Sequence, residues 1–286
     1  HLSVTTVQIP SGPASDPLSW LPETSSDELY WFWEIPEEET SWIGIGEVVS
    51  LSFEGPERFT DASNNFEKIT DLIDWEAPVG APPPRFAVGF SFDEKSNNKD
   101  WDFLGNSRLV FPKFQILKIG GDTWLTSTNT SLKEAPMLPS PDPIQPDDTE
   151  PKLVANEEDR EHYKNLVTTA LNEIQNGDLE KAVPCRRLFI DQKPVLQKLL
   201  SSLRNSYPGC ATFCVHKDGN AFVGSTPERL ASARDSKLYT AALVGSAPRS
   251  SDDALDSALS QGLLTSPKER NEHVLVVEEI IRRLNS

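Results

Sequence analysis

Two carboxylates stand near the end of this chain, Glu269 and Glu272 in the segment SPKERNEHVLVVEEI, three residues apart and so on one face of a helix. Such a pair, with Lys268 and Arg270 beside it, reads in two ways. It is a solvated charged face, or it is half of a magnesium site, because magnesium takes octahedral oxygen ligands from one or two carboxylates, water and substrate oxygens. Lys181, in GDLEKAVPCRR, is either a surface cation or a lysine tuned by its surroundings to act as a general base. Glu228, in GSTPERL, can pair with Arg229 or cap the next turn; held at a strand end it can also protonate a departing hydroxyl. Gly245, in TAALVGSAP, offers backbone N–H groups to a carboxylate, or is a tight packing turn. His273 and the other three histidines show neither metal-ligand nor triad spacing.

The elements that must position these residues follow from periodicity. Residues 134–152, EAPMLPSPDPIQPDDTEPK, hold six prolines and five acidic residues with no apolar period, and read as a linker between a sheet-rich half, 1–133, and a second domain, 153–286. In the first half WIGIGEVVSLSFEG, PRFAVGFSFD, SRLVFPKFQILKIGG and DTWLTSTN are strands of a largely antiparallel sheet. NNFEKITDLIDW sets Phe66, Ile69, Leu72 and Ile73 at helical spacing. All seven tryptophans lie in this half, and it reads as scaffold. In the second half Tyr163, Leu166, Val167, Ala170, Leu171 and Ile174 make an apolar helical stripe ending at Gly177. LEKAVPCRRLFI is strand-like, and a helix follows from Pro194. CATFCVHKDGNAFVGST is a hairpin turning at Asp218-Gly219, and a second hairpin turns near Asp235 and Ser236. Helices are expected over 252–264 and 267–285. The fold class is α+β, layered antiparallel sheets flanked by helices.

Composition excludes several functions. A net charge of -17 argues against nucleic acid as partner, and no apolar run approaches the ~20 residues that cross a bilayer. A small anionic substrate would need local positive charge or a metal. Cys185, Cys210 and Cys214 form no disulfide framework or zinc pattern; Cys210 and Cys214 share the spacing of one strand face, which points to packing and a reducing compartment. The first residue is His1, with no basic or Arg-rich leader, as in a mature or excised segment.

Taken in order, GDLEKAVPCRR, FVGSTPERL, YTAALVGSAPR and LLTSPKERNEHVLVVEEI resemble successive motifs of the chorismate-utilising enzymes, specifically isochorismate synthase. The resemblance covers 155–286 well and the first half loosely. It implies the anthranilate synthase component I-like fold and roles for residues. Lys181 falls on the base that activates water, and Glu228 on the acid that helps expel the ring hydroxyl. Leu243, Gly245 and Ser246 fall on the backbone segment that receives the substrate carboxylate. Glu269 and Glu272 fall on carboxylates that support Mg2+. It implies chorismate as substrate and a place in menaquinone or phylloquinone biosynthesis. Pro184 and Cys185 depart from the family strand, and Ala241 stands where the menaquinone type often has Glu and ammonia-using relatives have Pro. Family members continue past the last helix into strands with further magnesium carboxylates. The resemblance therefore implies an incomplete fold, with activity impaired or absent unless other polypeptide segments are fused to the chain or complete it. It looks like the module that opens a plant multifunctional phylloquinone-biosynthesis protein. That implies a chloroplast location, where a bacterial synthase would be cytoplasmic. A non-catalytic scaffold module and a salicylate-forming relative are the alternatives.

Overall fold

The computed structural model describes residues 1–21, 26–94, 99–134, 153–154, 157–190 and 192–285. The expected linker, 134–152, lies outside the described residues except for Glu134. In chain order the elements are β1 (Leu2–Ile9), β2 (Tyr30–Ile35), β3 (Thr40–Ile45), β4 (Val49–Ser52), α1 (Arg58–Thr70), β5 (Ile73–Glu76), β6 (Ala87–Phe90), β7 (Ser107–Phe111), β8 (Phe114–Ile119) and β9 (Asp122–Thr128). Then come β10 (Leu153–Val154), α2 (Glu157–Asn176), β11 (Phe189–Ile190), α3 (Leu196–Ser206), β12 (Ala211–Lys217), β13 (Asn220–Thr226), β14 (Ser232–Arg234), β15 (Lys237–Tyr239), α4 (Asp253–Thr265) and α5 (Pro267–Leu284). They fall into two compact units, His1–Thr149 with Pro194–Pro227, and Glu150–Lys193 with Glu228–Ser286.

The first unit is built on an eight-stranded sheet of order β13-β12-β2-β3-β8-β9-β1-β5 and a three-stranded sheet of order β4-β7-β6. Pairing is antiparallel apart from β1 with β5. Alternation decides what each face buries. Phe32, Ile43, Ile45, Ile116 and Cys214 join Leu18 and Trp20 of a single-turn helix and Leu200 of α3 in one cluster. Trp42, Leu117 and Val215, from the other face, cluster with Ala87 and Val110 of the smaller sheet. Leu109 and Phe111 lie in a third cluster with Leu2, Val4 and Ile69 of α1.

Three expectations change. The helix read through Ile73 ends at Thr70, because Ile73–Glu76 finds a ladder partner in β1 and runs parallel to it. The Asp218-Gly219 hairpin forms, with both residues at positive φ (50° and 73°), but it does not belong with the second domain. β12 pairs with β2 and extends the first unit's sheet, so the compact units depart from a single boundary at 134–152. The strand expected across Lys181 shrinks to Phe189–Ile190, which among the described residues pairs with β10 alone. Residues 181–188 have no ladder among the described residues, and Pro184 has no N–H to give one.

Within the first unit α3 is fixed by polar groups as well as Leu200. Gln197 Nε2 donates to the carbonyls of Ser19 (3.3 Å) and Leu21 (2.6 Å). Arg204 grips Asp16 through both Nη atoms (2.8 and 2.9 Å) and donates from Nε to Glu34 (2.7 Å). Burial pushes the Asp16 carboxyl up, but its bonds to Arg204 and the Leu18 N–H outweigh that and hold it below the usual range. Burial wins at Glu34, which is raised despite Arg204.

The second unit contains α2, the β10–β11 pair, the β14–β15 hairpin, α4 and α5. Its starts and stops are local. Gly177, at φ 80°, ends α2 with its N–H on the Ile174 carbonyl. Asp235 and Ser236, at φ 50° and 60°, make the tight turn between β14 and β15. Asp252 caps α4, and Ser266 with Pro267 starts α5. Yet no described residue of this unit is fully buried, whereas the first unit holds every buried hydrophobic side chain. No described helix is long and apolar enough to cross a membrane.

Arg204→Met leaves two carboxylates without their guanidinium and is expected to lower stability by about 3 kcal/mol in a denaturant melt. Asp16, with a depressed folded value, contributes stability that is full above pH 3.8 and lost as pH falls below it; Glu34, with a raised one, acts in the opposite sense. Asp16→Asn is therefore expected to flatten the acid limb of the stability curve below pH 3.8. Hydrogen exchange is expected to be fast through α4 and α5 and slow in β3 and β8, a difference readable by mass spectrometry.

Candidate active site

The second unit carries an open cleft of about 530 Å³. Its walls come from four stretches far apart in sequence: Lys181 to Pro184, Glu228, Leu243 to Gly245, and Glu272 with Val276 on α5. Lys181 Nζ stands 3.5 Å from Glu272 Oε2, each side chain 29% exposed. The other oxygen of Glu272 is 3.8 Å from Lys268 Nζ, which also lies 3.6 Å from Glu269 Oε1. The two carboxylates share a helix face, as their spacing requires, and both lie within 4 Å of one exposed lysine.

Gly245 is fitted to this face. Its φ is +85°, a conformation that side chains disfavour, and a Cβ there would sit 2.6 Å from Glu269 Oε2 and 3.2 Å from Leu263 Cδ1. The stretch belongs to no strand: β15 stops at Tyr239, and 240–250 run without regular structure. The cleft thus gathers Lys181, Glu228, Leu243, Gly245 and Glu272. Glu269 sits one turn back on α5 against Gly245, and Ser246 is not among the lining residues.

Sequence reading left Lys268 and Val276 without a role. The signal for both was their four-residue spacing either side of Glu272, which puts all three on one stripe of α5. Chemically, the arrangement offers an ammonium beside a carboxylate, a second carboxylate, Glu228, lining the same open cleft, and backbone unobstructed by a side chain at Gly245. No group of three or more His, Cys, Asp or Glu able to hold a metal occurs among the described residues. Glu269 and Glu272 supply two oxygen-bearing side chains, the number that a water-rich magnesium site uses, and Lys268, 77% exposed, is free to swing away from them. The three cysteines are unpaired. Cys214 is buried, and burial pushes its thiol up to about 12, so it packs; Cys210 precedes β12 instead of sharing its face.

Similarity to known proteins runs along most of the chain. A family described as "Chorismate binding enzyme" matches residues 2–286, so the match includes the first unit, where the motifs were loose. The salicylate biosynthesis isochorismate synthase of Pseudomonas aeruginosa is 26% identical over 268 residues, covering 87% of this chain and 55% of that protein. The isochorismate synthase MenF of Bacillus subtilis is 25% identical over 273 residues, covering 86% and 57%. The solved structure of MenF, the menaquinone-specific isochorismate synthase from Escherichia coli, matches with a TM-score of 0.68 at 20% identity, covering 100% of this chain and 64% of that one. That likeness is one of fold. The chain spans 55 to 57% of the length of these curated relatives.

Gly245→Ala must accept a left-handed backbone and displace the Glu269 carboxylate. A loss of about 1 to 2 kcal/mol is expected, measured by thermal denaturation of the second unit's helices.

Proposed function

We propose, from the premise that this chain belongs to the chorismate-binding enzyme family, that its second unit serves isochorismate-synthase chemistry, the exchange of a ring hydroxyl of chorismate to give isochorismate. The observation that supports this is the convergence of Lys181, Glu228, Gly245 and Glu272 on one cleft. Nothing local in the sequence requires four separate motifs to meet, whereas the reaction requires a base, an acid and an anion receiver within reach of one ring.

The exchange adds one water and loses one, so atoms balance without an outside reactant. Lys181, in its neutral form, takes a proton from the attacking water. Glu228, in its protonated form, gives one to the departing hydroxyl. Backbone N–H groups of Leu243 to Gly245, which line the cleft, receive a substrate carboxylate, and the bare Cα of Gly245 lets it approach. Glu269 and Glu272 would hold Mg2+, which when bound supplies positive charge for a substrate carboxylate. In a chain of net charge -17, that charge and the two lysines are what draws a dianion to the cleft. Menaquinone or phylloquinone biosynthesis is the pathway context this reading favours, in line with the MenF relatives.

Chorismate is incubated with the protein and Mg2+, and products are separated by chromatography. Isochorismate is expected, with Lys181→Ala and Glu228→Gln each lowering the rate by at least about a hundredfold. Activity surviving Lys181→Ala would overturn the assignment of the base, and salicylate as first product would move the chain to the lyase-type relatives. Glu272→Gln is expected to weaken Mg2+ binding in calorimetry without unfolding the protein. One observation favours a second reading, a docking module without turnover: no described residue of the second unit is fully buried. That reading predicts a folded protein that binds neither chorismate nor Mg2+.

A further inference from the structure

Lys268 holds a position that helix physics disfavours. It lies in the first turn of α5, where the N-terminal end of the helix dipole opposes a cation. Glu272 follows it by four residues, which is the weaker of the two orders for a helical Lys–Glu pair. Exposed pairs of this kind contribute little singly. What draws the ammonium here is that two carboxylates meet at one point: Nζ stands 3.6 Å from Glu269 Oε1 and 3.8 Å from Glu272 Oε1.

The carboxylates are the fixed part of this trio. The second oxygen of each is turned to another neighbour: Glu272 Oε2 to Lys181 at 3.5 Å, and Glu269 Oε2 to Gly245, where a Cβ would come within 2.6 Å of it. Their side chains are 29% and 24% exposed, against 77% for Lys268. The gap between the two Oε1 atoms is therefore shaped by partly buried groups and filled by the end of a side chain that lies mostly in solvent. A cation is needed there, because two carboxylates one turn apart on a helix repel each other.

We propose, resting on the reading of Glu269 and Glu272 as magnesium carboxylates, that Lys268 is a tethered counter-ion standing where the divalent cation binds, so that Mg2+ enters by displacing its ammonium. The lysine relieves the repulsion of the pair when no metal is bound, and it raises the magnesium concentration at which the pair becomes occupied. Displacement costs the lysine little, since three quarters of its side chain is already in water. The ion gains more than the lysine loses, because a double charge between two carboxylates is attracted about twice as strongly as a single one. Lys268 is in this sense a regulator of the metal site and takes no part in proton transfer.

The test is calorimetric titration of the full chain with magnesium chloride alone. Lys268→Met, which keeps a good helix former at an exposed position, is expected to bind Mg2+ about tenfold more tightly than the unaltered protein. Lys268→Gln should do the same, and Lys268→Arg, which keeps the charge, should stay near the original affinity. Adding Glu272→Gln to Lys268→Met is expected to abolish the gain, which places the ion at the carboxylate pair. Lys164→Met removes a lysine of similar exposure that pairs with Glu161 on α2, and should leave the affinity unchanged. Equal or weaker binding in Lys268→Met would overturn the proposal and leave the magnesium reading standing. The same gain in Lys164→Met would overturn it as an effect of net charge, and a gain that survives Glu272→Gln would overturn it by placing the ion elsewhere. Binding by none of these proteins would overturn both the proposal and the magnesium reading on which it rests.

Discussion

The guanidinium of Arg204 joins three parts of the first unit that are remote in sequence: the turn at Asp16, strand β2 at Glu34, and helix α3. Much else depends on it. Asp16 also caps the single-turn helix whose Leu18 and Trp20 close one side of the main cluster, so the same carboxylate sets a local turn and anchors a distant helix. One guanidinium is shared between two carboxylates of unequal burial, Asp16 with its side chain 37% exposed and Glu34 with 10%. The difference shows in their opposite shifts: Asp16, held in a fork, is depressed, and Glu34, with one bond, is raised. The arrangement specifies how α3 docks more than it adds net stability, since desolvation of three charges offsets most of their attraction.

The two units have different physical characters. The first has layered sheets whose alternating side chains fill three clusters, the structure expected of a chain segment that can bury its apolar surface. The second is held by caps, turns and ion pairs, with Leu171, Leu255, Leu264 and Ile281 each more than half exposed. A cleft on such a unit leaves its side chains open to solvent, Lys181 and Glu272 each being 29% exposed. Positioning then falls to short-range devices: the Gly177 stop before Lys181, the Ser266 cap before Glu269, and the fit of Gly245 against α5.

The legible parts of this chain were those written locally. Helix ends at Gly177 and Ser266, and the turns at Asp218-Gly219 and Asp235-Ser236, follow from backbone preferences that act over a few residues. Which strand a hairpin joins is a long-range matter. Nothing near Cys214 says that β12 lies against β2, because both are equally apolar and β-branched or aromatic. Ile73 fits a helical period and a strand equally well, and the free edge of β1 decides between them. At the cleft, residue types and spacing left Lys181, Glu228 and Glu272 open between surface charge and chemistry, and only the resemblance of their motifs singled them out, while Lys268 looked like surface charge until α5 placed it between two carboxylates.

Glu272 is the point at which the proposed roles meet. One of its oxygens faces Lys181 and the other faces Lys268, so the carboxylate is shared between two ammonium groups. A carboxylate that turns to a divalent cation cannot hold both lysines in the same way. Lys268, mostly in solvent, loses little by leaving, whereas Lys181 sits in the cleft wall and would be left facing the space where a water and a ring carbon must meet. On the proposed reading, occupancy of the carboxylate pair and availability of the base are therefore one linked event, set by the 3.5 Å contact between Lys181 and Glu272.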